Sequence, residues 1–442
     1  MRVLKLFLIT AAFALVCASS AAASTQLKPK TNWGTKGLFT LSTNLPGTFE
    51  YVSNCVVTGN EKLVALAQSA SGGKYRQIAF KLNKHGRIER RGNGRRYLTV
   101  GSSSNRPITS TIDGNGHIYF AFRRGKSQTV YLSRTKTDLS ADKRFGRITL
   151  PAALYKRADG SFSGYRGVVI FPQFDGGVLV AVQSGATASV LTRIAPNGKV
   201  DSTFGTGGSV TYPAFVVRAI DAKSSGPAYL AGVSAADRGL VQRILANGAP
   251  DPAYATGGIA DVGGTSVSSR LDGIVAETDG SVIVKRFRRD QIPGQPAADT
   301  TLIIDVTRIT PAGLPDDKFP HSGEVDNQTN PSHSAILLLL YPASDNAPDT
   351  EMAVLHGHGD GVFAGYFASR LGTYEYGNYF WLDGAGNQLG FPKSADDFFV
   401  KKSPIYTTEA VPALRGGFYA CGALAKAKSF THAKIAIARY AP

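Results

Sequence analysis

Cysteine is nearly absent from this chain of 442 residues, with 3 in all, and methionine and tryptophan occur only 2 times each. So few cysteines exclude a disulfide-framed scaffold and any multi-cysteine metal centre. Helical periodicity is missing as well: beyond the N-terminal segment no convincing stretch repeats its apolar positions at 3.6-residue spacing. Nor does any later run reach the roughly 20 apolar residues that span a bilayer, since "AILLLLY" from Ala335 has only the length of a strand. The familiar catalytic spellings are absent. There is no HExxH, Walker loop or GxGxxG, and "GSFSG" at Gly160 has the letters of a nucleophile elbow without a helical pattern after it. On these grounds no cofactor is expected.

What is present begins with "MRVLKLFLITAAFALVCASSAAAS", where Arg2 and Lys5 precede an apolar run and then small residues. This reads as a secretory signal peptide cleaved after Ala23, leaving 24–442 as one domain. Cys17 would suit a lipoprotein signal, but Val16 stands where that signal needs a small residue. The expected location is therefore periplasmic or extracellular, with no transmembrane span after cleavage and a monomeric state.

The formal charge of +17 is unevenly spread. Between Lys74 and Arg166 there are 21 Lys and Arg against 5 Asp and Glu, an excess of 16. A field so one-sided attracts polyanions to one sector, or simply keeps that sector solvated.

Apolar residues alternate in short runs separated by Gly, Ser, Thr and Asn-Gly turns, which is an all-β pattern. Two half-motifs then recur. The first is an apolar run, a polar turn and a second apolar run, as in "CVVTGNEKLVALAQ" at Cys55, "IFPQFDGGVLVAVQ" at Ile170 and "IVAETDGSVIVKRF" at Ile274. Seven copies can be found. The second is a strand ending in a basic or aromatic residue, a turn, and an aromatic loop entering another strand, as in "VLTRIAPNGKVDSTFGTGGSVT" and "LVQRILANGAPDPAYATGGIAD". The residue before its turn is Lys81, Arg134, Arg193, Arg243, Arg308, Trp381 and Arg439, at uneven intervals that place insertions near 288–301 and 320–350.

The second half-motif is complete in only six copies. Its seventh is split: "KIAIARYAP" at the C-terminus opens it, and "NWGTKGLFTLS" near the N-terminus closes it, with Trp33-Gly34 standing where Phe204-Gly205 stand. The expected fold is thus a seven-bladed β-propeller of seven repeats, closed by pairing of the N-terminal strand, about 32–42, with the last blade. Asp201, Phe204, Gly205 and Gly207 read as blade residues, an aromatic plug with glycines where the backbone turns sharply.

These segments resemble the delta-60 repeat family of secreted and surface bacterial proteins, most specifically in "RIAPNGKVDSTFGTGGSV". The resemblance implies a propeller-like secreted protein. That family has no common catalytic residues, so the resemblance transfers no activity.

Candidate sites are few. His356, His358 and Asp360 alternate in "LHGHGDG" as metal ligands can, yet they occupy a turn slot of the first half-motif, so a solvated turn is expected and no metal. Asp113-Gly114, Asp175-Gly176 and Asp279-Gly280 each offer one carboxylate, too few for calcium. The densest basic stretch is "KLNKHGRIERRGNGRRY". In it Lys81, Lys84, Arg87, Arg90, Arg91, Arg95 and Arg96 are candidates to bind an acidic glycan or another anionic envelope polymer, without sequence-specific recognition of nucleic acid.

Repeat architecture without a catalytic motif points first to a non-enzymatic binding or scaffold module for a protein or envelope polymer. The alternative is a propeller-type hydrolase or lyase acting on a glycan or lactone in the central channel. Converging acids or histidines there would favour the enzyme, and small apolar residues the scaffold. Cys55 and Cys421 fall on either side of the expected closure, and because blade faces splay with radius, two buried free thiols are expected ahead of a disulfide.

Overall fold

The computed structural model describes residues 28–42, 49–71, 74–90, 95–100, 105–163, 167–223, 227–262, 268–291, 300–316, 319, 334–342, 352–357, 362–370, 373–375, 379–382, 388–390, 399–400, 403–413, 418–426 and 429–441. Among them every regular element is a strand, and every strand pairing is antiparallel. The all-β reading therefore holds.

The described strands fall into seven sheets taken up in chain order. The first holds Phe49–Val57, Leu63–Ser71, Lys74–Leu82 and Leu98–Val100. The second holds Asn105–Ile112, Ile118–Arg124, Thr129–Arg134 and Arg147–Ala153. The third and fourth follow the same meander from Val168–Pro172 to Ser209–Tyr212 and from Phe215–Asp221 to Ile259–Asp261. The fifth runs from Ser268–Ala276 to Ser334–Pro342, and the sixth from Met352–Gly357 to Gln388–Gly390.

In the seventh sheet Ser403–Pro412, Phe418–Lys426 and Ser429–Ala441 come from the C-terminal end, and Leu38–Leu41 pairs with the last of them in the register Leu38↔Ala438 to Leu41↔Ile435. The strand that completes this sheet comes from the other end of the chain.

Alternation explains why the sheets stack. The sheets whose side chains are described present apolar residues on both faces, and the cores lie between neighbours rather than inside any one sheet. Val180 and Val182 of the third sheet meet Leu132 and Leu150 of the second, while Leu179 and Leu191 on its other face meet Phe215 and Leu230 of the fourth. A further core joins Val52, Ala65 and Phe80 of the first sheet to Tyr419, Ile435 and Ile437 of the seventh.

The first strands pack against one another in succession, and Ser403–Pro412 of the seventh sheet packs against Phe49–Val57 of the first. There Cys55 and Cys421, both fully buried, form a disulfide with Cα atoms 6.8 Å apart. The expectation of two free thiols is corrected. Both cysteines sit close to the first strands, where facing sheets have not yet splayed apart, so the separation stays within the roughly 7 Å that a bridge requires.

Candidate functional site

Where the third strand of a sheet ends, one local structure recurs. After Arg193 the chain turns with Ala195 N–H bonding to Lys199 O, and Asp201 N–H returns to Arg193 O at 2.9 Å. Asp251 returns to Arg243 in the same way at 2.9 Å, Asp142 to Arg134 at 3.1 Å, Asp316 to Arg308 at 2.9 Å and Glu89 to Lys81 at 2.8 Å. The backbone thus brings an acid at i+8 against the base at i. Arg134 bonds Asp142 at 2.7 Å, Arg243 bonds Asp251 at 2.8 Å, Arg308 bonds Asp316 at 2.7 Å, and Arg193 lies 3.3 Å from Asp201.

Three of these cations reach forward to the next sheet. Lys81 Nζ donates to Thr137 O at 2.7 Å, Arg134 to Pro196 O at 3.2 Å and Arg243 to Pro311 O at 3.0 Å. These three clamp neighbouring sheets, while Arg193 and Arg308 bind acids of their own sheets. Burial works against the Asp142 charge, but the bonds from Arg134 and the Phe145 N–H hold its carboxyl below the ordinary range. Arg308 collects Glu277 and Asp279 as well as Asp316, and burial pushes the Glu277 carboxyl up against the pull of Ser281 and Arg308.

An aromatic plug fills the space beside each clamp. Phe204 is almost fully buried against Gly248 of the next sheet, at φ 84°, where an added Cβ would stand 2.7 Å from the ring. Trp33 meets Gly86 of the first sheet in the same way, with Cδ2 at 2.7 Å from that position. Gly34 N–H bonds to His85 O at 2.8 Å as Gly205 N–H bonds to Asn247 O at 2.8 Å. Turn glycine and plug are two halves of one joint.

The basic candidates divide. Lys81 is committed inward to Thr137 and, at 3.9 Å, to Glu89, and burial lowers its pKa. Lys84, Arg87, Arg90, Arg95 and Arg96 are exposed, on the turn and following loop of the first sheet. Lys136, Lys143 and Arg144 are exposed on the equivalent turn and loop of the second. Arg91 lies outside the described residues. Of the metal candidates, His356 lies on the first strand of the sixth sheet, while His358 and Asp360 lie outside the described residues. Among the described residues no group of three metal-ligating side chains gathers.

Sequence reasoning missed one feature of the first strands. Five of them carry a register shift, between Val52 and Asn54, Pro107 and Thr109, Val217 and Ala219, Leu271 and Gly273, and Thr407 and Glu409. The skipped residues are Ser53, Ile108, Arg218, Asp272 and Thr408. A single extra residue shifts the alternation by one, as between buried Val52 and Cys55, but in strands this short only pairing identifies it as a bulge. Arg218 is half-buried and donates to Gln183 Oε1 of the third sheet at 3.3 Å.

No protein-family model matches the chain, and no curated protein sequence matches it. Solved structures that resemble it include the polysaccharide lyase Uly1, at 9% identity and TM-score 0.46 over 95% of this chain and 94% of that one. A subtype N10 neuraminidase-like protein of the strain A/little yellow-shouldered bat/Guatemala has 10% identity and TM-score 0.37 over 76% and 94%. Drosophila Semaphorin 1a, extracellular domains 1-2, has 9% identity and TM-score 0.34 over 64% and 54%. The likeness is one of fold alone, and the expectation of a non-enzymatic binding or scaffold module is withdrawn.

Proposed function

We propose that the seven sheets close into a seven-bladed propeller and that the protein is a hydrolase or lyase acting on an acidic glycan in the channel between the first strands. Closure is supported by the packing of Ser403–Pro412 on Phe49–Val57, the disulfide between those two sheets, and the pairing of Leu38–Leu41 with the last strand. The signal-like N-terminus and the delta-60 resemblance support an exported protein. No helix among the described residues is long and apolar enough to cross a membrane.

The observation that carries the enzymatic reading is the set of register shifts. A bulge leaves its extra residue out of the ladder and re-aims it, and bulges are enriched beside active sites. Here they fall on the first strands of five of the seven sheets and put Arg218 and Asp272 on neighbouring sheets, with Glu409 directly after Thr408. Arginine, aspartate and glutamate are residue types that glycan chemistry needs. In a hydrolase Asp272 and Glu409 would divide the work, one protonating the leaving oxygen and the other activating water. In a lyase Arg218 would neutralise a uronate carboxylate while a base removes the adjacent proton, the C–O bond breaking as the C=C bond forms. The exposed cations of the first two sheets would gather an anionic polymer at the rim.

The test is chain-length analysis of acidic and neutral polysaccharides incubated with the protein, scoring new reducing ends and new unsaturated ends. Wild type is expected to shorten an acidic glycan, and Asp272→Asn to lose about 100-fold or more of the rate while melting at the same temperature. A folded wild type that shortens none of them would contradict the proposal.

A further inference from the structure

The seventh sheet repeats the clamp with one part exchanged. Arg439 holds the place of Arg193 and Arg243: its N–H bonds to Gly37 O at 3.1 Å, as theirs bond to Gly208 O and Gly258 O, each at 3.1 Å. The residue whose N–H returns to the Arg439 carbonyl, at 2.8 Å, is Lys30. Five other copies have Glu89, Asp142, Asp201, Asp251 or Asp316 at that point. Here the acid is replaced by a base.

The consequence is visible in the side chains. Arg439 is only 4% exposed, its guanidinium lies 5.3 Å from the Tyr419 ring centroid, and its Nε has no hydrogen-bond partner. Trp33, 1% exposed and packed edge-on to the same Tyr419 ring at 5.5 Å, has no partner for its indole Nε1. Two buried donors beside one ring therefore lack acceptors among the described residues, a costly arrangement unless something fills it. Sister acids at this point keep between 9% and 28% of their side-chain surface, so the position borders solvent.

We infer that this seam is a carboxylate-binding site, in which the carboxylate of an acidic sugar takes the place of the acid missing from the seventh clamp. Arg439 supplies the charge and the donors, Lys30 a second cation at the entrance, and Trp33 an indole N–H. Glu61, on the first turn of the first sheet, is near enough for its charge to act on the Tyr419 hydroxyl. It sits at φ 58°, in the slot that glycine fills at Gly116, Gly176 and Gly280 with φ of 89°, 82° and 87°. A side chain kept at a glycine position supplies an acceptor for a sugar hydroxyl beside the carboxylate.

The inference rests on the acidic-glycan reading only for the molecule that carries the carboxylate, and its test needs no turnover. Melting temperature is measured with sodium glucuronate, with the methyl ester of the same sugar, and with glucose. Glucuronate alone is expected to raise it. Lys30→Asp restores the clamp of the sister copies, so it is expected to melt higher than wild type without ligand and to weaken glucuronate binding at least about tenfold. Arg439→Gln is expected to lose the glucuronate effect, and Lys30→Asp keeps the test decisive if that variant does not fold. No stabilisation of wild type by glucuronate, an equal effect of the ester, undiminished binding by Lys30→Asp, or a Lys30→Asp that melts lower would each overturn the proposal. None of these outcomes depends on whether a glycan is cleaved.

Discussion

Arg243 and Arg439 hold the same place in two copies of one repeat, with different company. Arg243 bonds Asp251 at 2.8 Å, stacks on Tyr254 at 4.8 Å and reaches Pro311 O of the next sheet. Arg439 faces Tyr419 across its strand pair as Arg243 faces Tyr229, with Trp33 as the plug in place of Tyr254, but Lys30 where the acid belongs. Within the repeats the chain builds its joints from one continuous stretch, so base, turn, acid and plug are fixed together by eight residues of spacing. At the seam the joint is assembled from the two ends of the chain. A joint made from separate segments is free to lose its acid without disturbing any neighbouring turn, and that freedom is where a ligand site can arise.

The largest effect that sharpens this contrast is expected from the bridge that only the seam possesses. Replacing Cys55 and Cys421 by Ser removes a cross-link spanning 366 residues, and urea unfolding is expected to show a loss of about 2–5 kcal/mol. An unchanged midpoint would mean that the seam is held by strand pairing alone.

Next come the clamps themselves. Arg243→Met leaves Asp251 half-sequestered without its cation and is expected to cost about 1–3 kcal/mol, while Arg439→Met strands no acid and is expected to cost less than half as much. Equal losses in thermal melts would break the comparison.

A smaller and graded effect is expected from acid. The Asp142, Asp201 and Asp279 carboxyls are held below their ordinary value of 3.8, by Arg134, by Thr203, and by Ser281 with Arg308, each against the opposing pull of burial. A depressed folded pKa contributes stability that is present above the unfolded value and lost as pH falls through the folded one. Melting temperature is therefore expected to fall progressively below about pH 4, and the fall to be shallower in Asp142→Asn. Glu277, raised by burial, acts with the opposite sign and moderates the loss.

The smallest effect on stability, near zero, is expected when exposed Arg90, Arg95 and Arg96 become Ser. Their removal is instead expected to weaken retention on heparin, steeply with added salt. Matched changes outside the first two sheets that weaken it equally would point to net charge alone.

Much of the joint is legible in the sequence because it is local. Arg193, the Asn197-Gly198 turn, Phe204 and Gly205 lie within one quoted stretch, and the same stretch broken across the chain ends identifies Trp33-Gly34 as the plug of the last copy. The acid at i+8 is just as visible in Glu89, Asp142, Asp201, Asp251 and Asp316. It went unread because an isolated carboxylate at a loop entrance looks like any turn residue until its backbone N–H is seen to return to the arginine carbonyl. Lys30 cannot be recognised as the exchanged acid from sequence, because it lies some 400 residues from Arg439, at the other end of the chain. The disulfide and the bulges were hidden for a related reason. Cys55 and Cys421 meet through the spacing between facing sheets, and a bulge is a property of pairing, neither of which is written in one strand alone.

The proposed ring closure by the two ends of the chain underlies both the proposed channel and the seam, and one measurement addresses it most directly. A protein beginning at residue 24 is compared in thermal unfolding with one beginning at residue 42, alone and with a peptide of residues 24–42 added. Loss of Leu38–Leu41 and of the Trp33 plug exposes the edge of Ser429–Ala441 and uncovers Gly86, so the shorter protein is expected to be destabilised by several kcal/mol, to aggregate, and to be rescued by the peptide. A shorter protein that melts at the same temperature as the longer one, and ignores the peptide, would contradict closure.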